Sequence, residues 1–378
     1  MIVINGYYGA GNFGDDIILL SIIYSIREFK PLEDIYVIII SEARMPKMPQ
    51  NINLIKRTDI NGLINKIKEC DLLITGGGGI FQDYSGFDIE RHIIKRDRGI
   101  DFYTVPMEIA YLMKKPIMVY AVGAGPINNS EYSRFFKTIL EWPDIITVRD
   151  NTSLEIIKNI NKDVDVKFTS DPAVNFIDGY KKYNNYFIEK DKKNVGICLR
   201  DWFLMNDDES EKFSKEIAKT ADYIIEKYGL DIILFPYCTS KKDSKLLKNV
   251  YKNAKYKNNI ILKEEINIDE ALNILSQLKF LIGMRLHSLI VASSINIPCI
   301  GINYDDKIKE YMRLLEMNDF VLDLNILDSK KLNYRVDEIM KNYNNMSEVI
   351  KRNIKILKQM EISNTLLAIK LLSGEYNG

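Results

Sequence analysis

The stretch Leu281-Ile-Gly-Met-Arg-Leu-His287-Ser-Leu-Ile-Val-Ala-Ser-Ser-Ile-Asn-Ile-Pro298 reads as a buried strand that breaks at Gly283 and delivers Arg285 and His287 to the start of a helix. The first turn of a helix presents backbone N–H groups with no partner inside the helix, together with a partial positive charge. An arginine and one of the chain's two histidines at that point mark a site for a phosphate or a carboxylate. The plainer alternative is a histidine held by a backbone carbonyl.

The same strand, turn and helix recurs on both sides. Apolar runs at 2–5, 35–40, 71–75, 117–122 and 145–148 are each followed by a turn and usually by a segment of helical period. Helix 15–29 carries Leu19, Ile22, Ile23 and Ile26 on one face, the spacing of a helix laid on a sheet. Such alternation predicts parallel strands. Residues 176–194 lose the periodicity and collect polar and turn residues, as an exposed linker does. The rhythm restarts with strands near 195–199, 231–235, 260–263, 280–283 and 298–302 and with helices such as 211–228 and 269–278. A helical tail near 345–372 places Ile350, Ile354 and Leu357 on one stripe. The expected class is α/β, with two Rossmann-like doubly wound parallel-sheet domains at 1–175 and 195–340, the linker 176–194 between them, and a helical segment 341–378 that packs back on the first domain.

A chain of 378 residues, 46% hydrophobic and 28% charged, exceeds one ordinary core, which agrees with two domains of roughly 100–200 residues. Lysine plus arginine and aspartate plus glutamate balance at 52 each, so nucleic acid is not expected as a partner. Cys70, Cys198, Cys238 and Cys299 lie far apart without CxxC spacing, which predicts neither a disulfide framework nor a metal site. Met1 leads directly into the apolar Ile2-Val-Ile, and no apolar run nears the ~18 residues of a membrane span. A cytoplasmic protein is expected, with peripheral contact at the inner face of the membrane left open and no oligomeric state specified.

Three glycine clusters follow predicted strands in the first half: Gly9-Ala-Gly11-Asn-Phe-Gly14, Gly76–Gly79 and Gly123-Ala-Gly125. In an open parallel sheet, ligands bind beyond the carboxyl ends of the strands, where glycine permits positive φ and close backbone approach. Their plain reading is tight packing of helix on strand. The first cluster matches G-x-G-x-x-G before a helix, and Glu42 stands where a ribose-binding acid would close the second strand. Against a dinucleotide, Asp15 and Asp16 fall in the first helical turn, where they would take up the free N–H groups and repel a pyrophosphate.

Arg149, Arg200 and Arg285 stand at predicted strand ends. Guanidinium forks grip carboxylate or phosphate in bidentate fashion, so three facing one cleft suit a small polyanion. The bland alternative pairs Arg149 with Asp150 and Arg200 with Asp201 as surface ion pairs. Lys307 begins a helix after the strand that ends near Ile302, where the helix dipole disfavours a cation unless a ligand requires it. His92 sits in Glu90-Arg-His-Ile-Ile-Lys-Arg-Asp-Arg98 and reads as part of a charged surface, a run that could face a diphosphate or anionic lipid head groups.

Taken in order, Gly11-Asn-Phe-Gly-Asp15, the Gly76–Gly79 run with Gln82-Asp83, Val148-Arg-Asp150, Ser170-Asp-Pro172, Gly283-Met-Arg-Leu-His-Ser288 and Gly301-Ile-Asn-Tyr-Asp305 resemble the polysaccharide pyruvyl transferases, including the CsaB type. The resemblance spans nearly the whole chain. It implies a two-lobed GT-B-like fold and transfer of the enolpyruvyl group of phosphoenolpyruvate onto a sugar to form a ketal, with no cofactor beyond that co-substrate. For the CsaB type the implied acceptor is a lipid-linked saccharide, an N-acetylmannosamine-containing precursor of a secondary cell-wall polymer. Carried over position by position, the resemblance makes His287, Lys307 and Arg149 catalytic candidates and Arg200, Arg285 and Ser288 donor contacts. It places Gly11, Asn12, Asp15, Gly78, Gly79 and Asp83 on the acceptor side. Two alternatives stay open: a GT-B glycosyltransferase using a nucleotide sugar, and a non-enzymatic sugar-phosphate-binding protein.

Overall fold

A computed structural model describes residues 1–84, 86–95, 100–184, 192–202 and 205–376, without the side chains of Arg91 and Ile93. The chain divides into two compact units, the first made of Met1–Gly11, Asp15–Tyr183 and Leu357–Gly378 and the second of Asn12–Gly14 and Asn184–Ile356. No helix among the described residues is long and apolar enough to cross a membrane.

The first unit runs β1 (Ile2–Asn5), α1 (Phe13–Phe29), β2 (Ile35–Ile39), β3 (Ile52–Lys56), α2 (Ile60–Glu69), β4 (Leu72–Gly76), β5 (Gly79–Phe81), α3 (Ile89–Ile94), α4 (Asp101–Leu112), β6 (Ile117–Ala124), α5 (Ser130–Ile139), β7 (Ile145–Val148), α6 (Asn151–Ile160), β8 (Val166–Phe168) and α7 (Phe176–Asn184). Its sheet has the order β3-β2-β1-β4-β6-β7-β8, with β5 beside β6. Every pairing recorded in it is parallel. The central strands β1, β4 and β6 are buried along their whole length, because helices cover both faces.

The second unit runs β9 (Asn194–Cys198), α8 (Asp207–Tyr228), β10 (Asp231–Leu234), α9 (Lys241–Asn253), β11 (Ile260–Leu262), α10 (Ile268–Ser276), β12 (Leu278–Gly283), α11 (Leu286–Ser294), β13 (Cys299–Asn303), α12 (Asp306–Leu314), β14 (Val321–Asp323) and the start of α13 (Ser329–Leu372). Its order is β11-β10-β9-β12-β13-β14, all parallel. In each sheet the winding starts at one strand, proceeds outward, then returns to the other side of that strand. This doubly wound arrangement is the expected fold class, and it puts a reversal point between β1 and β4 and another between β9 and β12.

Four strands escape the sequence reading: β3, β5, β8 and β14. β3, β8 and β14 are sheet edges, short and partly exposed, so they lack the continuous apolar run of a central strand. The stretch 176–194 is not wholly a linker. Its first part is the helix α7, held by buried Phe176, Ile177 and Tyr180, one apolar stripe among polar neighbours. Residues 185–191 lie outside the described ones.

The tail forms α13, which bends at Asn342, and Ile350, Ile354 and Leu357 are buried along it. From Leu357 onward this helix belongs to the first unit. There Glu361 is fully buried, accepting Tyr120 Oη–H at 2.9 Å and paired with Asn175 Nδ2, while Tyr120 also bonds Thr365 at 2.8 Å. Burial pushes the Glu361 carboxyl up to about 7, against the lowering pull of Asn175 and Tyr120.

A carboxyl whose folded pKa lies above its unfolded value binds more protons in the folded state. Its stabilising share is full at acid pH and is lost as pH rises from about 4.5 toward 7. Glu361→Gln is therefore expected to flatten this decline and to raise unfolding free energy at pH 8 by up to about 3 kcal/mol. Urea unfolding of both proteins at pH 5 and pH 8 checks it, and a decline of equal size in the variant contradicts it.

Candidate active site

At the second reversal point the register sets the geometry. Cys198 of β9 pairs with Gly283 of β12, so Arg200 and Arg285 each stand two residues past a paired position on neighbouring strands. Gly283 pairs in turn with Gly301 of β13, whose following loop carries Tyr304, Asp305 and Lys307. Gly283 is required by packing: a Cβ there would lie 2.6 Å from Leu289 Cδ2 of α11.

Tyr304 gathers the cations of this edge. Arg200 Nη1 donates to its phenol oxygen at 2.6 Å, and the Arg200 guanidinium lies 5.0 Å from the Tyr304 ring centre and 5.2 Å from that of Trp202. Lys307 Nζ stands 5.2 Å from the same Tyr304 ring and 2.8 Å from Asp305 Oδ2, while Asp305 also caps α12. Trp202 supports the cluster, its ring centre 4.5 Å from that of Tyr304.

Arg285 occupies the N-cap position of α11. Its Nε donates to Asp243 Oδ2 at 3.0 Å, its Nη2 pairs with the same oxygen, and Nη2 also lies 3.0 Å from Cys238 Sγ. Asp243, buried at the start of α9, uses its other oxygen to accept the Asp201 N–H at 3.0 Å. Burial pulls the Arg285 pKa down, but Asp243, Cys238 and Tyr304 outweigh it and hold the value above that of an ordinary arginine. Ser288 is buried, with its hydroxyl donating to the Arg285 carbonyl at 2.6 Å, so it shapes the first turn of α11.

His287 is the second residue of α11 and is packed against Gly14. A Cβ at Gly14 would sit 2.1 Å from His287 Nδ1 and 2.7 Å from Cγ. Asn12–Gly14 belongs to the same compact unit as His287, although the sequence reading places it in the first domain. Asn12 bridges Cys238 as an antiparallel pair, accepts the Gly14 N–H at 3.3 Å, and is followed by Phe13 edge-on to Tyr237 with ring centres 5.8 Å apart.

Arg149, at the end of β7 in the first unit, is buried. Its Nη1 donates to Asp171 Oδ2 at 2.7 Å, its Nε lies 3.6 Å from Asp150 Oδ2, and Asp15 is a further electrostatic neighbour. Burial disfavours its charge, yet these carboxylates raise its pKa. The pairing is with residues outside the solvent, unlike the surface ion pair that sequence proximity suggests. The paired register of Val122 and Val148 brings Gly123 beneath the guanidinium, where a Cβ would stand 3.0 Å from Nη2; at Gly79 the corresponding distance is 3.9 Å.

Gly78 has φ +78, and a Cβ on it would be 2.6 Å from Asp15 Oδ1, so the carboxylate and the glycine loop touch. Gly11 has φ +83 in the loop before α1. Asp16 accepts the Gly9 N–H at 3.2 Å, and burial pushes its carboxyl up to about 8. Asp16 thus takes one N–H of the glycine loop itself, that of Gly9, which precedes the helix. Asp83 accepts the backbone N–H of Asn129 at 2.7 Å and that of Asn128, which ties down the loop after β6. His92 is not a solvated surface residue: Nδ1 pairs with Asp101 Oδ1, and the ring packs against both Phe87 and Phe135. Arg96 and Arg98 of the basic run lie outside the described residues.

Residues 12–306 match the family profile of polysaccharide pyruvyl transferase. The chain belongs to that family. Amylovoran biosynthesis protein AmsJ of Erwinia amylovora is 20% identical over 313 residues, which cover 77% of this chain and 70% of AmsJ. Among solved structures, the UDP-GlcNAc 2-epimerase of Neisseria meningitidis bound to UDP-GlcNAc superposes with a TM-score of 0.65 at 11% identity, covering 99% of this chain and 100% of that one. S. aureus MnaA, solved with UDP, gives 0.64 at 14% identity over 99% and 97%. At these identities the likeness is one of fold, and it makes this pyruvyl transferase family member GT-B-like.

Sequence reasoning missed Tyr304, Trp202, Asp243, Cys238 and Asp171 as site residues. Tyr304 and Asp171 lie inside quoted family motifs and Trp202 follows Arg200 closely, so local signals existed. Asp243 and Cys238 lie more than forty residues from Arg285 and only the fold joins them.

Removing one partner of a buried ion pair strands the other charge. Asp243→Ala is expected to lower unfolding free energy by roughly 3 kcal/mol, whereas Asp243→Leu combined with Arg285→Met recovers most of that loss. Chemical denaturation of the three variants checks it. Gly14→Ala favours the helix intrinsically by about 1 kcal/mol but drives the new methyl into the His287 ring. It is expected to leave the fold intact and cut pyruvyl transfer at least about tenfold, since small displacements of positioned groups cost rates of this order.

Proposed function

We propose that this chain transfers the enolpyruvyl group of phosphoenolpyruvate onto two hydroxyls of one sugar in a polysaccharide precursor, releasing phosphate and leaving a pyruvate ketal. The observation that carries the reading is the placement of Arg200 and Lys307 at Tyr304, with Arg285 at the end of the adjoining strand, in a chain whose family is polysaccharide pyruvyl transferase. The donor holds a phosphate and a carboxylate on a three-carbon frame. Fixed guanidinium, ammonium and helix N–H groups suit such a dianionic end, and no reorganisation is needed when charge moves during reaction.

In the proposed sequence the donor's methylene carbon takes a proton, which makes the adjacent carbon cationic. One sugar hydroxyl attacks that carbon, phosphate leaves, and a second hydroxyl closes the ketal. Two hydroxyl protons are released; one balances the new methyl group and the other leaves on phosphate. His287 is assigned the proton transfers, and Lys307 the departing phosphate. Arg149 is assigned a catalytic role by the family resemblance, and the glycine loops of the first unit serve the acceptor side, whose sugar we take to be N-acetylmannosamine in a lipid-linked cell-wall precursor, by the CsaB-type resemblance.

The test is incubation with phosphoenolpyruvate and extracted lipid-linked saccharide, with phosphate release and acceptor mass followed together. Pyruvylated acceptor is expected, and His287→Ala or Arg285→Ala should abolish it while leaving a folded protein. In a thermal-shift screen phosphoenolpyruvate should stabilise the protein and UDP- and GDP-sugars should not. The opposite ranking would point to a nucleotide-sugar transferase.

A further inference from the structure

Tyr304 is the common neighbour of Arg200 and Lys307, two cations carried by different strand ends. Its oxygen accepts Arg200 Nη1–H at 2.6 Å, and its ring stands 5.2 Å from Lys307 Nζ. A phenol oxygen that accepts one N–H keeps its own hydrogen for a second partner. Arginine donation to that oxygen polarises the O–H bond and makes it a stronger donor. Trp202 packs against the ring at a tilt of 48° with centres 4.5 Å apart, which supports its position. Lysine and arginine carry only donors and cannot accept that hydrogen. The neighbouring Asp305 carboxylate is engaged by Lys307 through both its oxygens, so the further acceptor suited to an O–H beside two cations is the oxygen of an incoming anion.

We infer that Tyr304 is a donor-binding residue whose hydroxyl donates to a phosphate oxygen of the substrate, alongside Arg200 and Lys307. The identity of that phosphate as phosphoenolpyruvate's rests on the function proposed above; the anion contact itself does not. The role fits a residue that binds the ground state of the donor, so it acts on KM more than on kcat.

The test uses Tyr304→Phe, which removes only the hydroxyl and keeps the ring between Trp202 and Lys307. Inorganic phosphate and phosphoenolpyruvate are titrated calorimetrically into the wild type, Tyr304→Phe, Arg200→Met and the double variant. The hydroxyl is expected to be worth about tenfold in affinity for both ligands, as a hydrogen bond to a charged group is, and KM for the donor should rise by a similar factor. It should weaken binding in the Arg200→Met background too, because the contact is direct. Unchanged affinity in Tyr304→Phe, or a loss confined to proteins that retain Arg200, overturns the inference and reduces Tyr304 to a support for Arg200. Tyr304-dependent phosphate binding with no pyruvylated saccharide keeps this inference and overturns the proposed function. A wild type that binds neither ligand overturns both.

Discussion

The parallel register of three strands, β9, β12 and β13, is the constraint on which the second unit's chemistry depends. Hydrogen bonding fixes Cys198, Gly283 and Gly301 side by side, roughly 4.8 Å apart from strand to strand. Whatever follows these residues must leave the sheet at one edge. Arg200, Arg285 and the Tyr304–Lys307 loop do follow them, so cations far apart in sequence become neighbours without any direct attraction between them. Like charges brought together in this way need counter-groups, and the protein supplies them unequally. Asp243 grips Arg285 through two nitrogens and is itself fixed by the Asp201 N–H, whereas Arg200 bonds a neutral phenol and Lys307 a partly exposed carboxylate. An anionic ligand therefore has most to offer Arg200 and Lys307, and Arg285 enters as a fixed charge.

The first unit answers the same topology with the opposite balance. Arg149 is paired with Asp171 and Asp150 and feels Asp15, while Gly79 and Gly123 bring backbone close to its guanidinium and Gly78 meets Asp15. Acid outweighs base there, an environment that repels a second polyanion and suits hydroxyl groups, which can donate to carboxylates. This contrast is consistent with the proposal that the anionic donor binds the second unit.

Much of the fold is legible in the chain because central parallel strands are buried on both faces and leave continuous apolar runs. The edge strands β3, β8 and β14 are not, because half-exposed three- to five-residue segments carry no such run. Helix α7 hides for a related reason: Phe176, Ile177 and Tyr180 make a single stripe in a polar stretch. Of the site, the arginines and His287 are readable from their place after strands, whereas the partners that define their chemistry are not. Asp243 carries no special spacing of its own, and Tyr304, although inside the Gly301–Asp305 motif, gives no sign there of its contact with Arg200. Their roles arise from side-chain packing that only the folded register determines, and the grouping of Asn12–Gly14 with His287 is likewise invisible in a linear reading.

A crystal structure of the protein soaked with phosphoenolpyruvate tests the central claim most directly. The account predicts the donor's phosphate beyond the ends of β9, β12 and β13, within hydrogen-bonding distance of Arg200, Lys307 and the Tyr304 hydroxyl. Donor density at the glycine loops beside Arg149, with the Tyr304 cluster empty, would contradict it.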